Sequence, residues 1–258
     1  MYNNIAVILR GHVRNWHVIY PYVFQFYESL AHNVDYYFYT WKSKYSSEVS
    51  NTFYGKNLVS FYEFEQTTQL STSWRGPAYL NYMALHFMTP KHNQNPYDII
   101  IDSRPDVLTR LKTPEYGLMV HEDKKVYVPY IEMHTCQKEN KLSVAIADHF
   151  IIFKDLKIID KLSHRMYYES IHGNQVGLRK LIEQNNYGIN TIRNVDSRIT
   201  RPNIALMNGD VNTLLDNNND LQLEWSMKLT TEEKIKICEE NHIDPKDYHT
   251  YSSLAKIW

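Results

Sequence analysis

Read from its amino end, the chain alternates short apolar runs with stretches of helical spacing. Asn4 to Leu9 is an apolar run stopped by Arg10-Gly11, the pattern of a strand buried on both faces. Trp16, Ile19, Tyr20, Val23, Phe24, Tyr27, Leu30 and Ala31 then recur at helical spacing and predict a helix over 16–31, with Pro21 tolerated near its first turn. Val34–Thr40, rich in Tyr and Phe, predicts a second strand, and the weakly alternating Leu58–Phe64 a third. Strand, helix, strand, strand is the rhythm of an α/β sheet.

Further along, Ser71 or Ser73 can cap a helix over 77–88 that Thr89-Pro90 should end. Tyr97 to Leu108 has the apolar centre of a buried strand and a densely charged end. Val126–Pro129, His149–Phe153 and Ile189–Arg193 are further strand candidates. Leu156–Glu169 and Gln175–Asn186 have helical spacing, and Gly188 is placed to cap the second in the left-handed conformation. Asn212–Asp220 reads as a linker. Beyond it, Thr230-Thr231-Glu232-Glu233 forms a capping box for a short helix to about Asn241, and Asp244-Pro245 opens another. The division expected is a catalytic-type α/β domain over 1–211 and a helical extension over 212–258 packed on it.

Composition narrows the function classes. The 258 residues carry 28 Lys and Arg against 29 Asp and Glu, a net charge of -1, which argues against a strongly basic nucleic-acid binder. Only 8 glycines occur and no two have the spacing Gly-x-Gly, so the dinucleotide fingerprint and the phosphate-binding P-loop are both absent. The two cysteines, Cys136 and Cys238, are far apart, and no Asn-x-Ser/Thr sequon occurs. With no signal-peptide pattern at the start and no apolar run of membrane-spanning length, a cytoplasmic setting is expected. The 21 tyrosines serve either a tyrosine-rich core rim or stacking platforms for a base or sugar ring.

Candidate chemistry gathers at two strand ends. The first is Asp102-Ser103-Arg104-Pro105-Asp106, at the carboxyl end of a buried strand, where open α/β sheets bind ligands. Arg104 can grip a diphosphate through its planar fork, Asp102 stands beside it, and Asp106 can reach Mg²⁺ or Mn²⁺. The plainer alternative is an ion pair of Arg104 with Asp102 or Asp106. The second is Arg10-Gly11-His12-Val13-Arg14, between the first strand and first helix. Gly11 there admits a ligand close to the backbone, and Arg10 and Arg14 favour an anion. Asp148, just before the strand at 149–153, is a third candidate. No zinc-type histidine pair and no nucleophile elbow occurs.

These features, in this order, resemble a group of small GT-A-type nucleotide-sugar glycosyltransferases of large viruses, phages and bacterial surface-polysaccharide loci. The residues that carry the likeness are Ile5 to Trp16, Val34 to Trp41, Tyr97 to Ile101, Arg104-Pro105-Asp106 and Asp148, spanning about residues 1–200. The resemblance implies a mixed, mainly parallel, Rossmann-like sheet flanked by helices that binds a UDP- or GDP-type sugar. Such enzymes usually hold the diphosphate through a metal on Asp-x-Asp. Here Arg104-Pro105-Asp106 stands in that place, and only Asp106 inherits a metal role. Asp148 is expected as the base toward the acceptor hydroxyl, or else as a residue that positions the donor sugar.

The expected activity is transfer of a sugar from a UDP-sugar to a hydroxyl, with a glycan as acceptor. Two alternatives stay open: a phage-type enzyme acting on a hydroxymethylated pyrimidine in DNA, and a non-catalytic nucleotide-sugar-binding module. For a viral protein, the setting would be the host cytoplasm.

Overall fold

Strand β1 (Tyr2–Gly11) runs parallel to both of its neighbours in a seven-stranded sheet. The computed structural model describes residues 1–13, 16–43, 46–65, 75–136, 141–147, 149–158, 160–162, 175–199 and 232. After β1 come α1 (Trp16–Leu30), β2 (Ala31–Trp41), α2 (Ser46–Val49), β3 (Asn57–Phe64) and α3 (Arg75–Gln94). Then follow β4 (Ile99–Ser103), β5 (Val107–Leu111), β6 (Lys125–Val128), β7 (Ile131–Cys136), β8 (Lys141–Ile146) and β9 (Phe150–Phe153). The described chain closes with α4 (Gln175–Gln184), β10 (Gly188–Thr191) and β11 (Val195–Ile199).

The sheet order is β10-β6-β9-β4-β1-β2-β3. All the pairs are parallel except those of β9, which is antiparallel to β4 on one side and to β6 on the other. Two short antiparallel pairs, β5 with β11 and β7 with β8, lie outside it. The architecture is an α/β, Rossmann-like mixed sheet of mainly parallel strands flanked by helices, as the run of elements led one to expect.

Alternation along the strands divides the core in two. Ile5, Val7 and Leu9 face α1 with Phe24, Tyr27 and Leu30, whereas Ala6 and Ile8 face α3 and α4 with Leu80, Leu85, Met88 and Leu181. Both faces of β1 are therefore fully buried, which is why it reads as one apolar run rather than an alternating one. A tyrosine-rich interior accompanies this: Tyr27, Tyr36, Tyr37 and Tyr39 are among the largest fully buried side chains.

Two expectations need correction, at the end of α3 and at Gly188. Helix α3 does not stop at Met88 but continues through Pro90 to Gln94. Pro90 has no N–H for the His86 carbonyl, and both residues are exposed, where that carbonyl is open to solvent; the Thr89 hydroxyl donates to Leu85 O at 2.8 Å. Gly188 opens β10 instead of capping α4; the left-handed residue is Asn186, at φ 59°, a conformation asparagine tolerates. The charged end of the 97–108 segment is a turn, after which Val107–Leu111 forms a separate strand. The pairs β7–β8 and β5–β11 had no counterpart among the expected elements. The caps at Ser71 and Ser73, the later part of the 156–169 helix, the 212–220 linker and the helices after it lie outside the described residues. Among the described residues no helix is long and apolar enough to cross a membrane.

Candidate active site

The connection from β1 through α1 leads to β2 on one side, while the connection from β3 through α3 returns to β4 on the other. Strand order reverses between β1 and β4, and the carboxyl ends of the strands at such a point are the usual ligand position in open α/β sheets. Arg10, Gly11, Asp102, Arg104 and Asp106 all belong to that edge.

Arg10 and Asp102 project from neighbouring strands to the α3 side. Arg10 Nε lies 2.7 Å from Asp102 Oδ1, and Arg10 Nη2 donates to Oδ2 at 3.0 Å. Asn81, from α3, donates its Nδ2 to the same Oδ2 at 2.9 Å. Both charged residues are buried, at 7% and 1% exposure. The two charges compensate one another through one hydrogen bond and one close ion-pair contact, and Asn81 gives the carboxylate a further donor. On the opposite side of β4, Ser103 hydrogen-bonds the Tyr27 hydroxyl, and burial holds that phenol's pKa far above its ordinary value.

One turn further, Arg104 Nε donates to Asp106 Oδ1 at 2.8 Å and Nη2 to Oδ2 at 2.6 Å. Asp106 is completely buried, whereas the Arg104 side chain is 27% exposed. Pro105 separates them, and Val107 N donates to Arg104 O at 3.3 Å to close the turn. Gly11, at φ 124°, ends β1 against this turn. A Cβ added there would sit 3.8 Å from Pro105 Cδ, so the two sequence motifs abut. Of the two ion pairs open to Arg104, the one with Asp106 forms, and Asp102 pairs with Arg10.

Antiparallel β9 begins at the same edge, Phe150 pairing with Ser103. The residue before it, His149, is fully buried. Its carbonyl accepts from Arg104 N at 3.1 Å and from Ser103 Oγ at 3.2 Å. Its Nε2 lies 3.3 Å from both the Tyr130 hydroxyl and Ser197 O of β11. His149 thus ties the Arg104 turn to β9 and to the β5–β11 pair. Arg14 and Asp148 lie outside the described residues.

Asn81 and the tethering role of His149 escaped sequence reasoning. Asn81 had a signal: it is the polar member of an otherwise apolar stripe, Ala78, Asn81, Leu85, Met88, on the inner side of α3. A lone histidine at the start of an apolar strand points to a packed or hydrogen-bonded side chain, as His149 is, but the sequence named none of its partners.

Among the described residues, the two carboxylates of this edge already have nitrogen partners. Each oxygen of Asp102 faces Arg10, with Asn81 on Oδ2, and both oxygens of Asp106 are taken by Arg104. Among the described residues no three His, Cys, Asp or Glu side chains gather at one point.

No protein-family model matches the chain, and no curated protein matches it by sequence. Among solved structures, one similar in outline is described as a crystal structure of a glycosyltransferase involved in the glycosylation of the major capsid of PBCV-1. Its TM-score is 0.38 at 10% identity, over 73% of this chain and 81% of that one. An overlap that loose leaves the class of the fold to the strand order itself, which defines an α/β protein with a topological switch point between β1 and β4.

Proposed function

We propose that this protein is a glycosyltransferase that takes a sugar from a nucleotide-diphosphate donor, a UDP-sugar, and passes it to a hydroxyl of a glycan. The observation that carries this reading is the guanidinium of Arg104, partly open to solvent, on the turn after β4 whose Pro105 abuts Gly11 at the point where strand order reverses. A diphosphate fits such a place because planar N–H forks match phosphate oxygens and glycine admits close backbone approach.

The reaction breaks the bond between the anomeric carbon and a diphosphate oxygen through an oxocarbenium-like state. Charge grows on the departing oxygen, and a donor already aimed at it lowers the barrier by several kcal/mol at most, on the order of 3 for one such contact. On this reading Arg104 and Gly11 receive the diphosphate, with Arg14 contributing positive charge. The Arg10–Asp102 pair shapes the floor. Asp148 accepts the proton of the acceptor hydroxyl as that oxygen attacks the anomeric carbon.

The test is a panel of UDP-, GDP- and CMP-sugars followed first by thermal shift and then by release of free nucleotide. Stabilisation by one nucleotide family together with slow donor hydrolysis is expected. Asp148→Asn should lower turnover while leaving donor affinity within about twofold. Binding with no hydrolysis at any enzyme concentration would instead identify a non-catalytic binding module, and no stabilisation by any donor would overturn the reading.

A further inference from the structure

We infer that this edge meets the donor diphosphate with an oriented guanidinium rather than a divalent cation, and that Asp106 is the positioning residue that orients it. The inference rests on the donor-site reading above and deepens it.

Two carboxylates, Asp102 and Asp106, stand where a cation would be expected, and each is closed by an arginine through two contacts of 2.6–3.0 Å. By the described contacts, a cation entering here would displace a guanidinium from a carboxylate that is 0% or 1% exposed. At Asp102 the displaced group would be Arg10, itself 7% exposed, and its charge would then be left buried without its counter-ion. At Asp106 the carboxylate is enclosed, and Arg104 holds the side of the pair that is open to solvent. Hard cations also ask for about six oxygen ligands, several of them water, which a sealed carboxylate cannot provide.

What Arg104 offers is geometry. Asp106 holds its Nε and Nη2 edge, the His149 carbonyl holds its backbone N–H, and Pro105 restricts the turn between. A long, flexible side chain is thereby held in one arrangement before any ligand arrives, so little conformational freedom is lost on binding. The pair is neutral overall, so its contribution to a diphosphate is aimed N–H donors and not net charge.

The test is calorimetric titration of the wild-type protein with UDP, GDP and CDP in EDTA and again in Mn²⁺. Affinity for the preferred nucleotide is expected to agree within about threefold between the two buffers. Arg104→Lys, which keeps the charge and can still reach Asp106 but lacks the fork, should weaken it about tenfold in both. Asp106→Asn retains the shape and one acceptor oxygen; it should weaken binding less and confer no Mn²⁺ dependence. Binding that requires Mn²⁺ in the wild type and is lost in Asp106→Asn would overturn the inference while leaving the donor site standing. No nucleotide binding in either buffer would overturn the donor-site reading, and this inference with it. The two-buffer comparison uses the unaltered chain, so a variant that fails to fold does not blunt it.

Discussion

Arg10, the penultimate residue of β1, and Asp102, the penultimate residue of β4, grip one another across the line where the strand order reverses. Strand register sets Asp102 beside Ile8, so the Arg10 side chain reaches back along β1 to meet it. The pair ties together the two central strands at the end where a ligand would sit, and Asn81 anchors α3 to the same carboxylate.

Removing one member alone strands a buried charge. Arg10→Met and Asp102→Leu should each lower unfolding free energy by about 3–5 kcal/mol, while the double replacement should cost far less than the sum. Urea denaturation of the two singles and the double checks this. Additive losses would mean the two residues act independently of one another.

His149→Phe keeps a ring against Tyr130 but deprives the Ser197 carbonyl and the Tyr130 hydroxyl of their nitrogen partner. A loss of about 1–3 kcal/mol in stability is expected. On the proposed activity, kcat should fall more than donor affinity, because the residue adjoins Asp148 and carries the carbonyl that holds Arg104. Unchanged kcat in a folded variant would confine His149 to a structural role.

Several interior phenols resist ionisation. Burial pushes Tyr37 up to about 12, partly opposed by its hydrogen bond with Tyr97, and carries Tyr27, Tyr36 and Tyr39 higher still. Tyr97 is raised furthest, by burial and by its hydrogen bonds to Asp35 and Tyr37. In the unfolded chain these groups lose their protons near pH 10. The folded state keeps them protonated, so stability should hold below about pH 10 and fall as pH rises past it. Phenolate absorbance should therefore include a steep late step that coincides with loss of circular dichroism. Complete ionisation of all 21 tyrosines while the fold persists would refute this.

His92 moves the other way. Its pKa is depressed by burial, with Asp155 opposing, and its Nδ1 accepts the Tyr97 backbone N–H at 3.3 Å, which requires the neutral ring. The unfolded state gains the proton first, so this group's contribution is complete above about pH 6.5 and declines as pH falls below it. His92→Gln should flatten the difference in urea midpoint between pH 7.5 and pH 5.5. An identical difference in variant and wild type would show that other groups govern that range.

The strands of the main sheet were largely legible before the structure, and for a simple reason. A strand buried on both faces has to be apolar along its length, so β1, β2 and β4 announce themselves in one dimension. Helix α1 did so through its spacing. The short pairs β5–β11 and β7–β8 did not, since each is defined by a partner brought to it from elsewhere in the chain. Pro90 misled because the cost of proline in a helix depends on whether the orphaned carbonyl can reach water, which spacing does not reveal.

The sequence by itself determined where charge would collect: charged residues crowd the ends of two apolar strands, at Arg10-Gly11 and at Asp102 to Asp106. Only the tertiary structure decided which charges meet. Along the chain Asp102 stands two residues from Arg104, yet strand alternation turns Asp102 toward α3, where Arg10 and Asn81 reach it. Arg104, beyond the strand, is left to Asp106. Ion pairs form with whatever the fold brings within about 3 Å, and that distance is a property of packed strands and helices, not of neighbours in sequence.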